Sequence, residues 1–178
     1  MAKSRFADGS HGELAPLRVE DLDELMAIEV LAYAFPWSRG NFIDSLASGY
    51  QALGLRLSGE LVAYAWAMKG VDELHLLNLT VHPDHRRRGH AQHLLHELVL
   101  WARAEGLAWI WLEVRVSNEA ARRLYERLGF EEAGLRRGYY PSARSPREDA
   151  LLMRLDLERF GAAPDEREDA AAMGEGPP

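Results

Sequence analysis

The sequence predicts a mixed α/β (α+β) domain, in the order strand, two helices, three strands, helix, strand, helix, two strands. Three observations carry this prediction. Segments with apolar residues three and four apart alternate with short apolar or alternating runs of strand length. The run LHLLNLTV, a long amphipathic segment and the run LAWIWLEV form a strand–helix–strand crossover, the connection that neighbouring parallel strands need. Pro36, Gly59, Pro83, Gly106 and Gly129 fall at the joints between these segments. A chain of 178 residues is long enough for one domain with a real core and short for two.

The elements follow in order. Residues 1–12 are polar and carry glycine, and are expected as a flexible leader. ELAPLRV reads as the first strand. In EDLDELMAIEVLAYA, Leu22, Leu25, Met26 and Val30 recur at helical spacing behind an acidic first turn. Pro36 ends that helix because it has no backbone N–H to give. Ser38 can cap a second, short helix running through Phe42, Ile43 and Leu46. YQALGLRL and LVAYAWAMKG read as a hairpin turning near Gly59, and ELHLLNLTV as a further strand stopped by Pro83. Ala91, Leu94, Leu95, Leu98, Trp101 and Ala102 share one face of a helix that Gly106 ends. LAWIWLEV is apolar on both faces, as a central strand is. Ser117, with Asn118 alongside it, can cap the next helix, NEAARRLYERL, and EEAGLRRGYYP and EDALLMRLDL close the domain as strands. From Gly161 the composition shifts to Ala, Pro, Glu and Asp without period, so residues 161–178 are expected as an acidic disordered tail.

Composition narrows the function. With 21 Lys+Arg against 28 Asp+Glu the formal net charge is −7, which argues against direct nucleic-acid binding and favours a basic partner. The tail holds five acidic residues against Arg167, so the folded body is only mildly acidic. There is no cysteine, hence no disulfide, thiolate metal site or cysteine nucleophile. The amino terminus lacks the apolar stretch of a signal peptide, and the longest apolar run, LVAYAWAM, is too short to span a bilayer; a cytoplasmic protein away from the membrane is expected. His93 and His96 look like part of a metal cluster, but HELVL has Leu100 where a zinc-protease motif needs its second histidine, and no metal is expected.

Three arginines in this acidic chain ask for an anion. HPDHRRRGHAQHLL sets a strand end, a glycine turn and a helix start in a row. The first N–H groups of a helix lack intrahelical partners and carry the positive end of its dipole, so such a junction binds anions. Gly89 lets a phosphate approach the backbone, and Ala91 is too small to block it. By this pattern alone, an ordinary basic turn is an equal reading. The stretch Arg86-Arg87-Arg88-Gly89-His90-Ala91 resembles the acyl-CoA pyrophosphate loop, Q/R-x-x-G-x-G/A, of the GNAT superfamily of N-acetyltransferases. FPWS, NLTVHP, WLEVRVSNEAARRLYERLGF, RRGYYP and REDALLM, in that order from about Leu14 to Leu157, resemble the bacterial ribosomal-protein-alanine N-acetyltransferase (RimI) family.

The resemblance implies a central mixed, mostly antiparallel sheet flanked by helices, with residues 13–160 as the acetyltransferase domain. It implies acetyl-CoA as co-substrate, bound by Arg86, Arg87, Arg88, Gly89, His90, Ala91 and Gln92, by Asn118 and by the strand segment Leu79, Thr80 and Val81. Phe35, Pro36 and Trp37, with Tyr139 and Tyr140, would enclose the acceptor, the N-terminal segment of a basic ribosomal protein. Strand alternation places Glu113 on one face with Trp109, Trp111 and Arg115. A carboxylate beside two tryptophans is partly desolvated, as a proton acceptor at neutral pH should be, although an ion pair with Arg115 is the competing reading. The resemblance makes Glu113 the general base. By pattern alone Tyr125 belongs to the core with Leu124, Leu128 and Phe130; the resemblance makes it the general acid. The alternatives are an enzyme of the same fold that acetylates a small amine or a lysine side chain, and a non-catalytic acyl-CoA-binding subunit.

Overall fold

The computed structural model of the chain describes residues 2–5, 11–142 and 147–160. Among them are eight strands: β1 (Ala2–Arg5), β2 (His11–Pro16), β3 (Gln51–Leu57), β4 (Glu60–Lys69), β5 (Glu73–Val81), β6 (Trp109–Arg115), β7 (Glu131–Tyr140) and β8 (Glu148–Asp156). Four α-helices accompany them: α1 (Leu22–Ala32), α2 (Arg39–Ala47), α3 (His90–Ala104) and α4 (Glu119–Arg127). The strands form one sheet in the order β1-β2-β3-β4-β5-β6-β8-β7. Every pairing is antiparallel except β5 with β6, which are joined by the α3 crossover.

The sheet is covered on both faces. Leu22, Leu25 and Ile28 of α1 and Phe42 of α2 pack with Tyr64 and Trp66 of β4. Leu94, Leu95, Leu98 and Val99 of α3 and Tyr125 of α4 pack with Ala63, Ala65 and Ala67 of β4 and with Ile110, Leu112 and Val114 of β6. The two-residue period of β4 thus gives large aromatics to the α1 face and alanines to the α3 face, where a helix can lie close.

In β5 this period breaks. Trp66 pairs with Asn78, but Ala67 pairs with Leu76, so Leu77 is an extra residue in a β-bulge. Before the bulge, Leu74 and Leu76 belong to the α3-side core; after it, the even-numbered Asn78 and Thr80 hydrogen-bond groups of α1 and its end. A bulge bends its strand and loosens pairing. Pairing of β5 with β6 runs only from Glu73↔Trp109 to Leu76↔Leu112. Beyond the bulge the two strands part, and the gap between Leu77–Val81 and Glu113–Arg115 is where the cavities lie.

Several expectations are corrected. Ala2–Arg5, assigned to the leader, pairs with β2 as an edge strand; the backbone of β2 was open to pairing whatever side chains lay opposite. Asn118, not Ser117, caps α4, its side-chain oxygen accepting from the Ala121 N–H, while the Ser117 N–H donates to Glu148 Oε1. His93 is half-buried on α3, and burial pushes its imidazole below the ordinary value. The tail at 161–178 lies outside the described residues.

Candidate functional site

The loop between β5 and α3 is built for close approach. Pro83–His85 form one 3₁₀ turn, Arg86 is extended, and Arg87 (φ 63°) and Gly89 (φ 85°) are left-handed. A Cβ placed on Gly89 would meet no protein atom within 4 Å, so the position faces open space. That space is a cavity of about 980 Å³, a volume suited to a sizeable small molecule. Arg86, Arg87, Gly89, His90, Ala91 and Gln92 line one side; Leu79, Thr80 and Val81 of β5 line the next; Asn118, Ala121, Leu124 and Tyr125, from the start of α4 onward, line the third. Arg115 and Arg127 also reach it, and no carboxylate does among the described residues. The N-terminus of α3, whose first N–H groups fall outside the intrahelical ladder, and the guanidinium groups make it an anion-accepting site. Arg88 is not part of the wall; its guanidinium donates to the Asp84 carbonyl, 3.1 Å.

A second cavity of about 310 Å³ opens on the gap between β5 and β6. Glu29, Trp37, Leu77, Asn78, Glu113 and Tyr140 line it, and Tyr33, Phe35, Leu79, Arg115 and Tyr125 line both cavities. Of the expected acceptor residues, Phe35, Trp37 and Tyr140 therefore reach a cavity wall. Pro36 and Tyr139 do not; Tyr139 lies under the Arg136 guanidinium, 5.5 Å away, with its ring edge-on to Tyr140.

Glu113 has 13% of its side chain exposed and pairs with Arg136 Nη1 at 3.1 Å. The ion pair weighed from sequence, with Arg115, does not form. Arg115 donates instead to Glu148 Oε2 (2.9 Å) and the Pro141 carbonyl (3.1 Å), and stacks on Tyr140. The Tyr140 hydroxyl donates to the Glu113 carbonyl at 2.8 Å. Tyr125 is buried beside Phe130, and desolvation pushes its phenol above the ordinary value, so it stays protonated through the neutral range. Both of the expected reacting groups line the smaller cavity, and Tyr125 alone of the two also lines the larger.

Behind the smaller cavity lies a polar network that the sequence reading missed. Glu29, 1% exposed, accepts from the Trp37 N–H (2.8 Å), the Tyr64 hydroxyl and Asn78 Nδ2 (3.4 Å). Thr80 Oγ1 donates to Asn78 Oδ1 and meets the Tyr33 hydroxyl at 2.9 Å. A signal existed: Glu29 falls seven residues after Leu22 and four after Leu25, on the buried stripe of α1. Arg136 gave none, because β7 is largely exposed and lacks alternation.

A strand–loop–helix anion site on a sheet that parts down its middle is the architecture of an acyl-CoA-dependent acyltransferase. Residues 22–130 match the model of the acetyltransferase (GNAT) family, and the chain belongs to that family. Its relatives narrow the class to the ribosomal-protein-alanine N-acetyltransferases, as the sequence motifs implied. The ribosomal protein bS18-alanine N-acetyltransferase of Escherichia coli (strain K12) is 41% identical over 144 residues, covering 81% of this chain and 97% of that protein. Its namesake in Haemophilus ducreyi is 36% identical over 138 residues, covering 78% and 95%. The crystal structure of the ribosomal-protein-S18-alanine N-acetyltransferase from Escherichia coli superposes with a TM-score of 0.77 at 40% identity, covering 82% of this chain and 94% of that one.

Proposed function

We propose that this protein transfers the acetyl group of acetyl-CoA to the α-amino group of an N-terminal alanine on a basic ribosomal protein, in the cytoplasm. The observation that carries the reading is the pair of cavities with a shared wall. One is lined by arginines and helix N–H groups, the other by two carboxylates, Glu29 and Glu113, and Tyr125 borders both. The first suits the phosphates of coenzyme A; the second suits an amine.

The chemistry follows from these positions. Glu113 takes the proton that the incoming ammonium must lose before its nitrogen can attack. The nitrogen forms a bond to the thioester carbonyl carbon, the carbon–sulfur bond breaks, and Tyr125 gives its proton to the departing thiolate. Oxyanion stabilisation falls to the backbone of Leu79–Val81, which lines the larger cavity together with Tyr125. Arg136 holds the base in place until the acceptor arrives. With no cysteine in the chain, the amine attacks acetyl-CoA directly. Side chains of Phe35, Trp37 and Tyr140 leave room for a small first residue, and a net charge of −7 draws a cationic substrate.

The test is mass spectrometry after incubation with acetyl-CoA and versions of one basic peptide beginning with Ala, Met or a blocked α-amine. Acetylation should favour Ala and stop with the block. Equal acetylation of lysines in the blocked peptide overturns the α-amine assignment and leaves a lysine or small-amine acetyltransferase.

A further inference from the structure

Glu29 is a buried carboxylate to which the proposed chemistry gives no task. It lines the smaller cavity, and its oxygens take three donors, none of them charged. It makes no ion pair with any described residue. The other charged groups on that wall are matched: Arg115 is held by Glu148 and the Pro141 carbonyl, and Glu113 by Arg136. The surplus charge of the acceptor cavity is therefore the one on Glu29. A buried charge without a counter-ion is costly to keep unless something supplies one.

We propose that Glu29 is a positioning residue for the acceptor: it anchors the loop bearing Trp37 to β4 and β5, and its unmatched charge holds the substrate ammonium in the smaller cavity until Glu113 takes the proton. This rests on the amine-acetylating reading of that cavity and deepens it, since a neutral nucleophile such as an alcohol would gain nothing from the charge. The groups that face Glu29 are the Trp37 N–H from the loop after α1, Tyr64 from β4 and Asn78 from β5. Tyr33 lies nearby through Asn78 and Thr80. Glu113, Arg115, Tyr125 and Tyr140 complete the same cavity wall. Burial pushes the phenols of Tyr33, Tyr64, Tyr125 and Tyr140 above their ordinary value, so none of them titrates between pH 7 and pH 9. Over that interval the group that changes is the substrate's α-amine, whose ordinary pKa is about 8.

The experiment compares the parent with Glu29→Gln, which keeps shape and loses charge. At pH 7 the variant should raise KM for an Ala-initiated peptide roughly tenfold, the loss expected when a hydrogen-bonded charge is neutralised. KM for acetyl-CoA should stay within about twofold. At pH 9, where the free amine is neutral, the two peptide KM values should converge. Equal KM values at pH 7 overturn the inference, and so does a rise that persists undiminished at pH 9, since a purely architectural role would not follow the substrate's proton. If Glu29→Gln does not fold, Tyr64→Phe serves: it strips one donor from the carboxylate and leaves the charge, so peptide KM should hold or fall, and a rise overturns the inference. Should the parent acetylate lysines or small amines instead of N-terminal peptides, the functional reading fails, and the same comparison on that amine still judges Glu29.

Discussion

At the scale of single residues, the two groups proposed to react, Glu113 and Tyr125, lend themselves to separation by mutation. Glu113→Gln keeps the volume of a side chain that is 13% exposed and removes its basicity. Turnover should fall by about 10²–10⁴ with coenzyme affinity nearly unchanged. The loss should shrink at high pH, where the amine deprotonates unaided; steady-state rates from pH 7 to 9 check both points. Tyr125→Phe should fold normally, because the ring remains against Phe130, and should slow acetyl transfer. Unchanged single-turnover rates would return Tyr125 to a packing role. The positions of Glu113 and the arginine loop were legible because each depends on local spacing: strand alternation in one case, a strand–glycine–helix junction in the other. Glu29 and Arg136 depend on which elements meet in space. A carboxylate on the apolar stripe of α1 was visible in the linear sequence; that Trp37, Tyr64 and Asn78 would converge on it was not.

At the scale of elements, the loop before α3 and the start of α4 make the sharpest predictions. Gly89→Val forces a β-branched residue into a left-handed conformation and aims it into open space. The strain should lower stability by about 1–2 kcal/mol. Acetyl-CoA affinity should fall by more than Gly89→Ala costs, since both share the strain and differ in reach; calorimetry alongside thermal melts separates the two effects. Glu148 ties Ser117 to Arg115, and hydrogen bonds from the Ser117 side chain, the Ser117 N–H and Arg115 hold its carboxyl below the usual range. As pH falls, the unfolded chain protonates this group first. Its contribution is therefore complete above the ordinary carboxylate pKa and is lost as pH drops through the lowered folded value. Glu148→Gln should cost about 1–2 kcal/mol at pH 7 and flatten that acid decline, as urea melts at several pH values would show. Helix and strand identities from β2 to β8 were legible, most of them from strong periods, with the exposed β7 as the exception. The slip at Leu77 was not: LHLLNLTV reads as one strand, and only the pairing with β4 reveals that Leu76 and Asn78 point to opposite faces.

At the scale of the molecule, the order of elements and the crossover were legible from periodicity, and the strand at Ala2–Arg5 was not, because an edge strand needs only backbone to pair with. The acidic segment 161–178 has too few apolar residues to bury. We propose that it is dispensable: its removal should leave the melting temperature and the coenzyme KM unchanged, and a fall of several degrees would show that it packs on the domain. The two cavities share Tyr33, Phe35, Leu79 and Tyr125, yet each keeps walls of its own, the arginine loop for one and Glu29 with Trp37 for the other. On the proposed reading, neither substrate has to leave for the other to enter. Double-reciprocal plots of rate against one substrate at fixed levels of the other should therefore intersect, where parallel lines would mean that an acetylated enzyme stands between the two half-reactions.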